Sequence, residues 1–465
     1  MRKVIDPQLH FGEQAIGAIH LDPKSRDDIP QILRGLQYLY TTPALRERVF
    51  AILQEVIPAG VDGQADPDTG RPGMAQWKIL VLGALRLGLD ADYDRLQELA
   101  NQHSTIRQML GHSDWADEYQ YELQTLKDNL RLFTPEILDR LNQEVVRAGH
   151  RALKKSPADG VDARCDTFVV ETNVHYPTDI NLLLDAIRKT IEICADLCAA
   201  NGLTEWRQSA YQVRQFKKSY RQVQQLKRST AKDTRLRLEI GCGGPALWLA
   251  ELDAYIAHAE RQIDQIRRRV LLGERIPHAQ KLFSLFEPHT EWINKGKAGV
   301  PVELGLRVAV VEDSARFILH HRVMEKTTDD QIAVSIVAET QARFPALRAI
   351  SMDKGFHSPR NQTELKGLLE RVVLPKKGKR SEPEKARESD PEFIRLRHQH
   401  SAVESAINAL EAHGLDRCPD HGIEGFKRYV ALAVVARNIQ RLGAVLRRQD
   451  EEAEKRKRGP YKKAA

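Results

Sequence analysis

Apolar positions recur at helical spacing through residues 1–155. Over residues 30–56 they fall at Ile32, Leu33, Leu36, Leu39 and Tyr40, which predicts a helix with Pro30 in its first turn, where a missing N–H costs nothing. Residues 58–73 are rich in Gly, Pro and Asp and predict a loop. Short helices are predicted over 74–87, 93–100 and 105–110, and Thr134-Pro135 caps another running to residue 153. Three short helices joined by tight turns fit a helix-turn-helix, whose third helix would offer Arg107 and Gln108 to a DNA groove, or a plain helical bundle.

At Val161 the period changes. Residues 161–172 are β-rich with no helical repeat, and His175-Tyr176-Pro177-Thr178-Asp179 ends them in a turn. Residues 180–272 read as helix again. Strands return at 302–311 and 316–323, paired as a hairpin across Glu312-Asp313-Ser314-Ala315. A helix over 327–343, a strand over 347–352, a helix opened by Ser358-Pro359 and a short strand over 372–374 follow. Residues 375–391 predict a charged, mobile loop, and 396–411 and 425–447 are helical. Neither strand-bearing block, 160–180 or 300–412, has enough strands to close a core alone, which predicts one α/β domain carrying an insertion. The expected organisation is a helical N-terminal domain (1–155), an α/β domain (156–180 with 285–448), a mostly helical basic insertion (181–284) and a basic disordered tail (449–465).

Composition narrows the class. The 465 residues suit two or three domains, and 29% charged with 42% hydrophobic residues is a globular balance. The longest apolar run, Tyr429 to Ala436, is eight residues, far short of the ~20 that span a membrane. Met1-Arg2-Lys3-Val4-Ile5-Asp6 has no apolar stretch behind its charges, so no secretory signal is expected. Five scattered cysteines fit free thiols in a reducing cytoplasm. Cys194 and Cys198 stand four apart, but no zinc-type set completes them.

Net charge is only +7, so its distribution carries the information. Between Arg207 and Arg237 there are ten Lys/Arg and one acid, Asp233. Arg214, Lys218, Arg221, Gln225 and Arg228 form one helical stripe, which can track a nucleic-acid backbone or be a solvated face. Lys295 and Lys297, beside Gly296, suit gripping a scissile strand or an ordinary basic turn. Contacts of this kind carry no sequence information.

Three carboxylates from separated segments could meet at one sheet edge: Asp166 within a strand, Asp353 just after one, and Glu404 on a helix. An all-carboxylate set suits Mg2+ or Mn2+ better than Zn2+, and two such ions clamp a phosphodiester for in-line attack. Among 64 acidic residues three can always be chosen, so spacing alone leaves open a solvated edge residue, a turn-former and a surface pair.

Ordered motifs go further. Asp166-Thr167-Phe168-Val169-Val170-Glu171-Thr172-Asn173-Val174-His175-Tyr176-Pro177-Thr178-Asp179 comes first. Phe286-Glu287-Pro288-His289-Thr290-Glu291-Trp292-Ile293-Asn294-Lys295-Gly296-Lys297, running into Pro301-Val302-Glu303-Leu304-Gly305, comes second. Met352-Asp353-Lys354-Gly355-Phe356-His357-Ser358 and His400-Ser401-Ala402-Val403-Glu404-Ser405-Ala406-Ile407-Asn408 follow. Together they resemble the DDE transposases of bacterial insertion sequences, particularly the ISNCY-like group, over residues 74–443.

The resemblance implies a ribonuclease H-like catalytic domain, a mixed sheet flanked by helices, with a mostly helical insertion and an all-α N-terminal domain. It implies Asp166, Asp353 and Glu404 as a triad for two Mg2+ ions, with Asp162 and Asp179 as lesser competitors for the first position. DNA is the implied partner, as terminal inverted repeats and as target, with a dimer or larger synapse in the bacterial cytoplasm, at the nucleoid. The family places Tyr, Arg and Lys around the final Glu; here Arg397, His400 and Glu411 stand there. Arg397 and His400 can still hold a phosphate. Glu411 cannot replace a cation, so that role is lost or moved to a neighbour such as Arg417. The alternatives are a catalytically inactive, transposase-derived DNA-binding protein and a nuclease without strand transfer.

Overall fold

The computed structural model describes residues 3–5, 12–56, 73–113, 117–155, 159–204, 206–226, 246–270, 272–277, 280–294 and 302–458. They form two compact units, residues 1–173 with 305–465, and residues 174–304.

The larger unit opens with helices α1 (Ile29–Thr41), α2 (Pro43–Gln54), α3 (Gln76–Gly88), α4 (Tyr93–Gln102), α5 (Ser104–Met109), α6 (Leu123–Leu130) and α7 (Pro135–Ala152). The single helix expected over 30–56 is two, because Thr42 is extended (φ −87°, ψ 106°) ahead of Pro43, and proline disfavours helix in the residue before it. Thr134 caps α7 as its sequence predicts, its hydroxyl accepting from the Ile137 N–H at 3.3 Å. The predicted loop over 58–73 lies almost wholly outside the described residues.

Strand β1 (Val161–Thr172) ends this part of the unit. The smaller unit then holds α8 (Asp179–Ala200), α9 (Ser209–Leu226), α10 (Ala246–Val270) and β2 (Glu291–Asn294). The chain returns to the larger unit along β3 (Val302–Asp313), then follows β4 (Ile318–Met324), α11 (Asp329–Arg343), β5 (Leu347–Met352), α12 (Pro359–Leu368), β6 (Arg371–Val373), α13 (Glu382–Glu388), α14 (Pro391–His400), α15 (Ala402–Leu410), β7 (Arg417–Cys418) and α16 (Gly422–Arg458).

The protein is mixed α/β, with an open mixed sheet flanked by helices. Within the larger unit the strands run β4-β3-β1-β5-β6, with β7 on the far end of β1. β1 is antiparallel to β3 and parallel to β5, and β3 and β4 form the predicted hairpin. Asp313 closes that hairpin, its Oδ1 accepting from the N–H groups of Ala315 at 2.8 Å and Phe317 at 2.9 Å.

One apolar core runs from Ile16 to Val445, so the N-terminal helices are a layer of the larger unit. Its axis is α16, which packs on α1, α3 and α7. Among the described residues this helix alone is long and apolar enough to cross a membrane, but 78% of its apolar window is buried inside the protein. Gly35 of α1 faces the Ile439 carbonyl, and Gly443 of α16 faces the Gln31 carbonyl, with no room for a Cβ at either crossing point.

Two segments depart from expectation. Residues 375–391 hold α13, started by Ser381 and Glu384 as a capping box. The tail expected to be disordered from residue 449 continues α16 to Arg458, supported by Arg447–Glu451 and Arg448–Glu452 pairs one turn apart. Residues 459–465 lie outside the described residues.

Candidate active site

β1 and β5 are parallel with Arg164 opposite Ser351 and Cys165 opposite Met352. One step further sets Asp166 beside Asp353, on the same face as Arg164 and Ser351, because strand side chains alternate. Neighbouring strands stand about 4.8 Å apart, so these two carboxylates share one patch of sheet. Asp353 leaves the strand and caps the turn that follows, its Oδ1 accepting from the Gly355 N–H at 2.7 Å. Asp166 accepts from the N–H of Thr167 at 2.7 Å.

Helices α14 and α15 cover that face. Ser351 Oγ lies 3.2 Å from His400 Nδ1 at the end of α14. Arg164 donates to the Gln399 carbonyl at 3.1 Å and the Asp313 carbonyl at 3.4 Å, clamping α14 to the sheet. Glu404 lies one turn beyond His400 and is exposed, while Val403, Ala406, Ile407 and Leu410 turn into the core.

A fourth acid joins them. Asp329, in the first turn of α11, accepts from the Thr167 hydroxyl at 3.1 Å. A Cβ built on Gly355 would lie 2.9 Å from Asp329 Oδ2 and 2.9 Å from Asp353 Oδ1. The two carboxylates therefore flank the bare α-carbon of Gly355. The signal Thr328-Asp329-Asp330-Gln331 marks a helix start in sequence, but nothing local reveals that this start lies against β1.

The charges act on one another. Burial first, then Asp353, Asp329 and Glu404, push the Asp166 carboxyl up to about 6, against the opposing Thr167 N–H. Burial also raises Asp329, with Asp353 adding to it and the Thr167 hydroxyl and Arg307 opposing. Burial lowers His400, and Arg164 lowers it further, against the pull of Asp353 and Glu404. Among the described residues none of the four carboxylates has a basic partner within 4 Å. An all-oxygen donor set with uncompensated charge has the chemistry of a hard divalent cation site, and Mg2+ takes few protein ligands and keeps its waters. No three His, Cys, Asp or Glu side chains among the described residues already close around one point, so the donors form an open cluster.

The structure thus brings together Asp166, Asp353 and Glu404, with His400 beside them. Arg397 is exposed on α14, three residues before His400. Arg214, Lys218 and Arg221 are exposed on α9 of the smaller unit. Arg228, Lys295 and Lys297 lie outside the described residues. Asp162 pairs with Arg348 at 3.0 Å, and Asp179 starts α8 in the smaller unit. Arg107 is tied to the carbonyls of Asp117 at 2.9 Å and Tyr119 at 3.1 Å, so α5 offers no free arginine there. Arg417 lies 3.4 Å from Glu171.

No protein-family model, no curated protein and no solved structure matches the chain.

Proposed function

We propose that the chain is a DNA transposase acting through Asp166, Asp353 and Glu404, and that its sheet belongs to a ribonuclease H-like domain interrupted after its first strand by an insertion. One observation carries the reading. The parallel register of β1 and β5 sets Asp166 beside Asp353, with Glu404 presented from a helix on the same face. The ordered motifs supply independent support. Crowded like charges cost stability and mark functional sites more often than structural ones.

The proposed reaction is hydrolysis at the ends of an insertion sequence, followed by attack of the freed 3′-hydroxyl on a target phosphodiester. The triad would hold Mg2+, with Mn2+ as a substitute, in two sites; bound there, the ions supply Lewis-acid charge at the scissile phosphate. The chain's own part is positional. Asp166 is fixed by the sheet, Asp353 by its turn, and Glu404 by α15, which follows directly on α14, the helix that Arg164 and His400 hold to the sheet. Arg397 and His400 offer donors to a phosphate oxygen. Joining two inverted repeats to a target requires at least a dimer.

The test is nicking of supercoiled plasmid carrying the ends of the element that encodes the chain. The wild-type protein cuts with Mg2+ and not in chelator. Asp353→Asn abolishes cutting while a mobility shift shows DNA still bound. Cutting by that variant at the wild-type rate overturns the assignment. Joined donor–target products separate a transposase from a nuclease.

A further inference from the structure

A cleft of about 1070 Å3 lies within the larger unit, between the start of α4, the end of α6 and the segment leading from β7 into α16. One wall carries Arg95, Lys127 and Arg131. Among the described residues none of these three has a carboxylate within 4 Å. Two acids of the cleft meet cations and two accept from backbone N–H groups. Asp420 is shared by Arg86 at 3.0 Å and Arg428 at 3.1 Å. Asp92 caps α4, accepting from the Arg95 N–H at 2.8 Å. Asp416 accepts from the Arg417 N–H at 2.7 Å, and Glu424 lies 3.5 Å from Lys427. By charge, the lining sets Arg86, Arg95, Lys127, Arg131, Arg417 and Arg428 against five Asp/Glu, a small excess of cations, and Arg95, Lys127 and Arg131 are the groups an anion would meet.

The aromatic groups decide which kind. Arg86 lies over the Tyr93 ring at 4.1 Å and the Tyr429 ring at 5.2 Å, and Lys127 lies 5.6 Å from Tyr93. Tyr429 is buried and Tyr93 already faces two cations, so among the described residues the cleft offers a nucleobase little to stack on. The cleft offers charge without base readout, which is the chemistry of phosphate contact.

Position ties it to the acidic cluster. Asn173, which lines the cleft, follows the end of β1, seven residues beyond Asp166. At about 3.3 Å per residue that is roughly 23 Å, or about seven phosphates along one strand of a duplex. Resting on the reading of the acidic cluster as a DNA-cutting site, we propose that this cleft grips the phosphate backbone of the duplex that runs on from the scissile position. It holds the DNA without reading its sequence.

The experiment uses the full chain, a fluorescent duplex of scrambled sequence, and anisotropy in chelator at a series of salt concentrations. Lys127→Glu/Arg131→Glu is compared with Lys24→Glu/Arg26→Glu, an exposed pair outside the cleft with the same change of charge. The cleft variant should bind at least tenfold more weakly, with a salt slope shallower by about 2, while the control binds as wild type. If the charge reversal does not fold, Lys127→Gln/Arg131→Gln should give the same change in slope. Wild-type affinity and slope in the cleft variant, or an equal loss in the control, overturns the inference. Because binding is read without divalent ions, a chain that binds through the cleft but never cuts refutes only the proposed reaction. A chain that cuts while its cleft variant binds normally refutes only the cleft.

Discussion

The Thr167 hydroxyl donates to Asp329 at 3.1 Å, tying the residue that follows Asp166 in β1 to the first turn of α11. Partial positive charge at a helix N-terminus favours a carboxylate there. Together the two hold Asp329 against Asp353, whose charge opposes it, with Gly355 bare between them. A side chain on Gly355 would fill the space the two acids share.

Changes at this contact should therefore move pKa values in opposite directions. Thr167→Val removes a donor that favours the ionised form, so the Asp329 carboxyl should rise further. Asp329→Asn removes a like charge, so the Asp166 carboxyl should fall from about 6 toward its usual range. Carboxyl carbon-13 titration of aspartate-labelled protein reads both. A stationary Asp166 in Asp329→Asn would show that the two acids are not coupled.

The elevated Asp166 carboxyl also sets a pH dependence of stability. Between about pH 4 and 6 the folded state keeps a proton that the unfolded state has released. The charge therefore costs stability above pH 6, and the cost fades as pH falls toward 4. Asp166→Asn should be more stable than wild type at pH 8 by about 1–2 kcal/mol, and equal to it near pH 3. Urea unfolding at the two pH values checks the sign; a variant less stable at pH 8 would contradict it.

Arg164 is the clamp between β1 and α14, the helix that carries His400 and leads directly into the one bearing Glu404. Its Nη1 lies 3.9 Å from Glu312 Oε2, an oxygen with no hydrogen-bond partner among the described residues, on a side chain only 3% exposed. Burial pushes Glu312 up to about 7, and Arg164 is the largest influence lowering it. Arg164→Ala should cost about 2–3 kcal/mol in urea unfolding and raise Glu312 further. At pH 5, where Glu312 carries its proton, the loss should be smaller than at pH 8. An equal loss at both would place the effect in packing alone.

What could be read from the sequence is what local chemistry decides. Alternation bounds β5 at Leu347 and Met352, and Ser358-Pro359 and Thr134-Pro135 mark their helix starts. Dense charge hid α13, although Ser381 and Glu384 carry the capping pattern. The acidic cluster was less legible, because its geometry depends on which strands pair. Nothing in residues 161–172 states that β5, rather than β4, lies beside β1 in parallel. That pairing sets Asp353 next to Asp166, and the packing of α11 brings in Asp329. Long-range pairing likewise explains why Asp162, inside the same strand, is spent on Arg348 instead.

The crossing of α1 and α16 offers a test of the core that is independent of function. At Gly35 an added methyl would run into the Ile439 carbonyl, and at Gly443 into that of Gln31. Backbone atoms cannot swing aside as side chains do, so the helices must separate. Separation would loosen apolar contacts along α16, among them Leu36, Leu39, Ile439 and Leu442, all buried. Either Gly→Ala substitution should therefore cost about 2–3 kcal/mol, outweighing the ~1 kcal/mol helix preference of alanine over glycine. Among the described residues nothing lies within 4 Å of a Cβ on Gly367, in α12, so Gly367→Ala should stabilise by about 0.5–1 kcal/mol. Thermal and urea unfolding of the three variants separate propensity from packing, because the same substitution must change sign between the sites. Stabilisation at Gly35 would mean that α1 and α16 do not cross this closely.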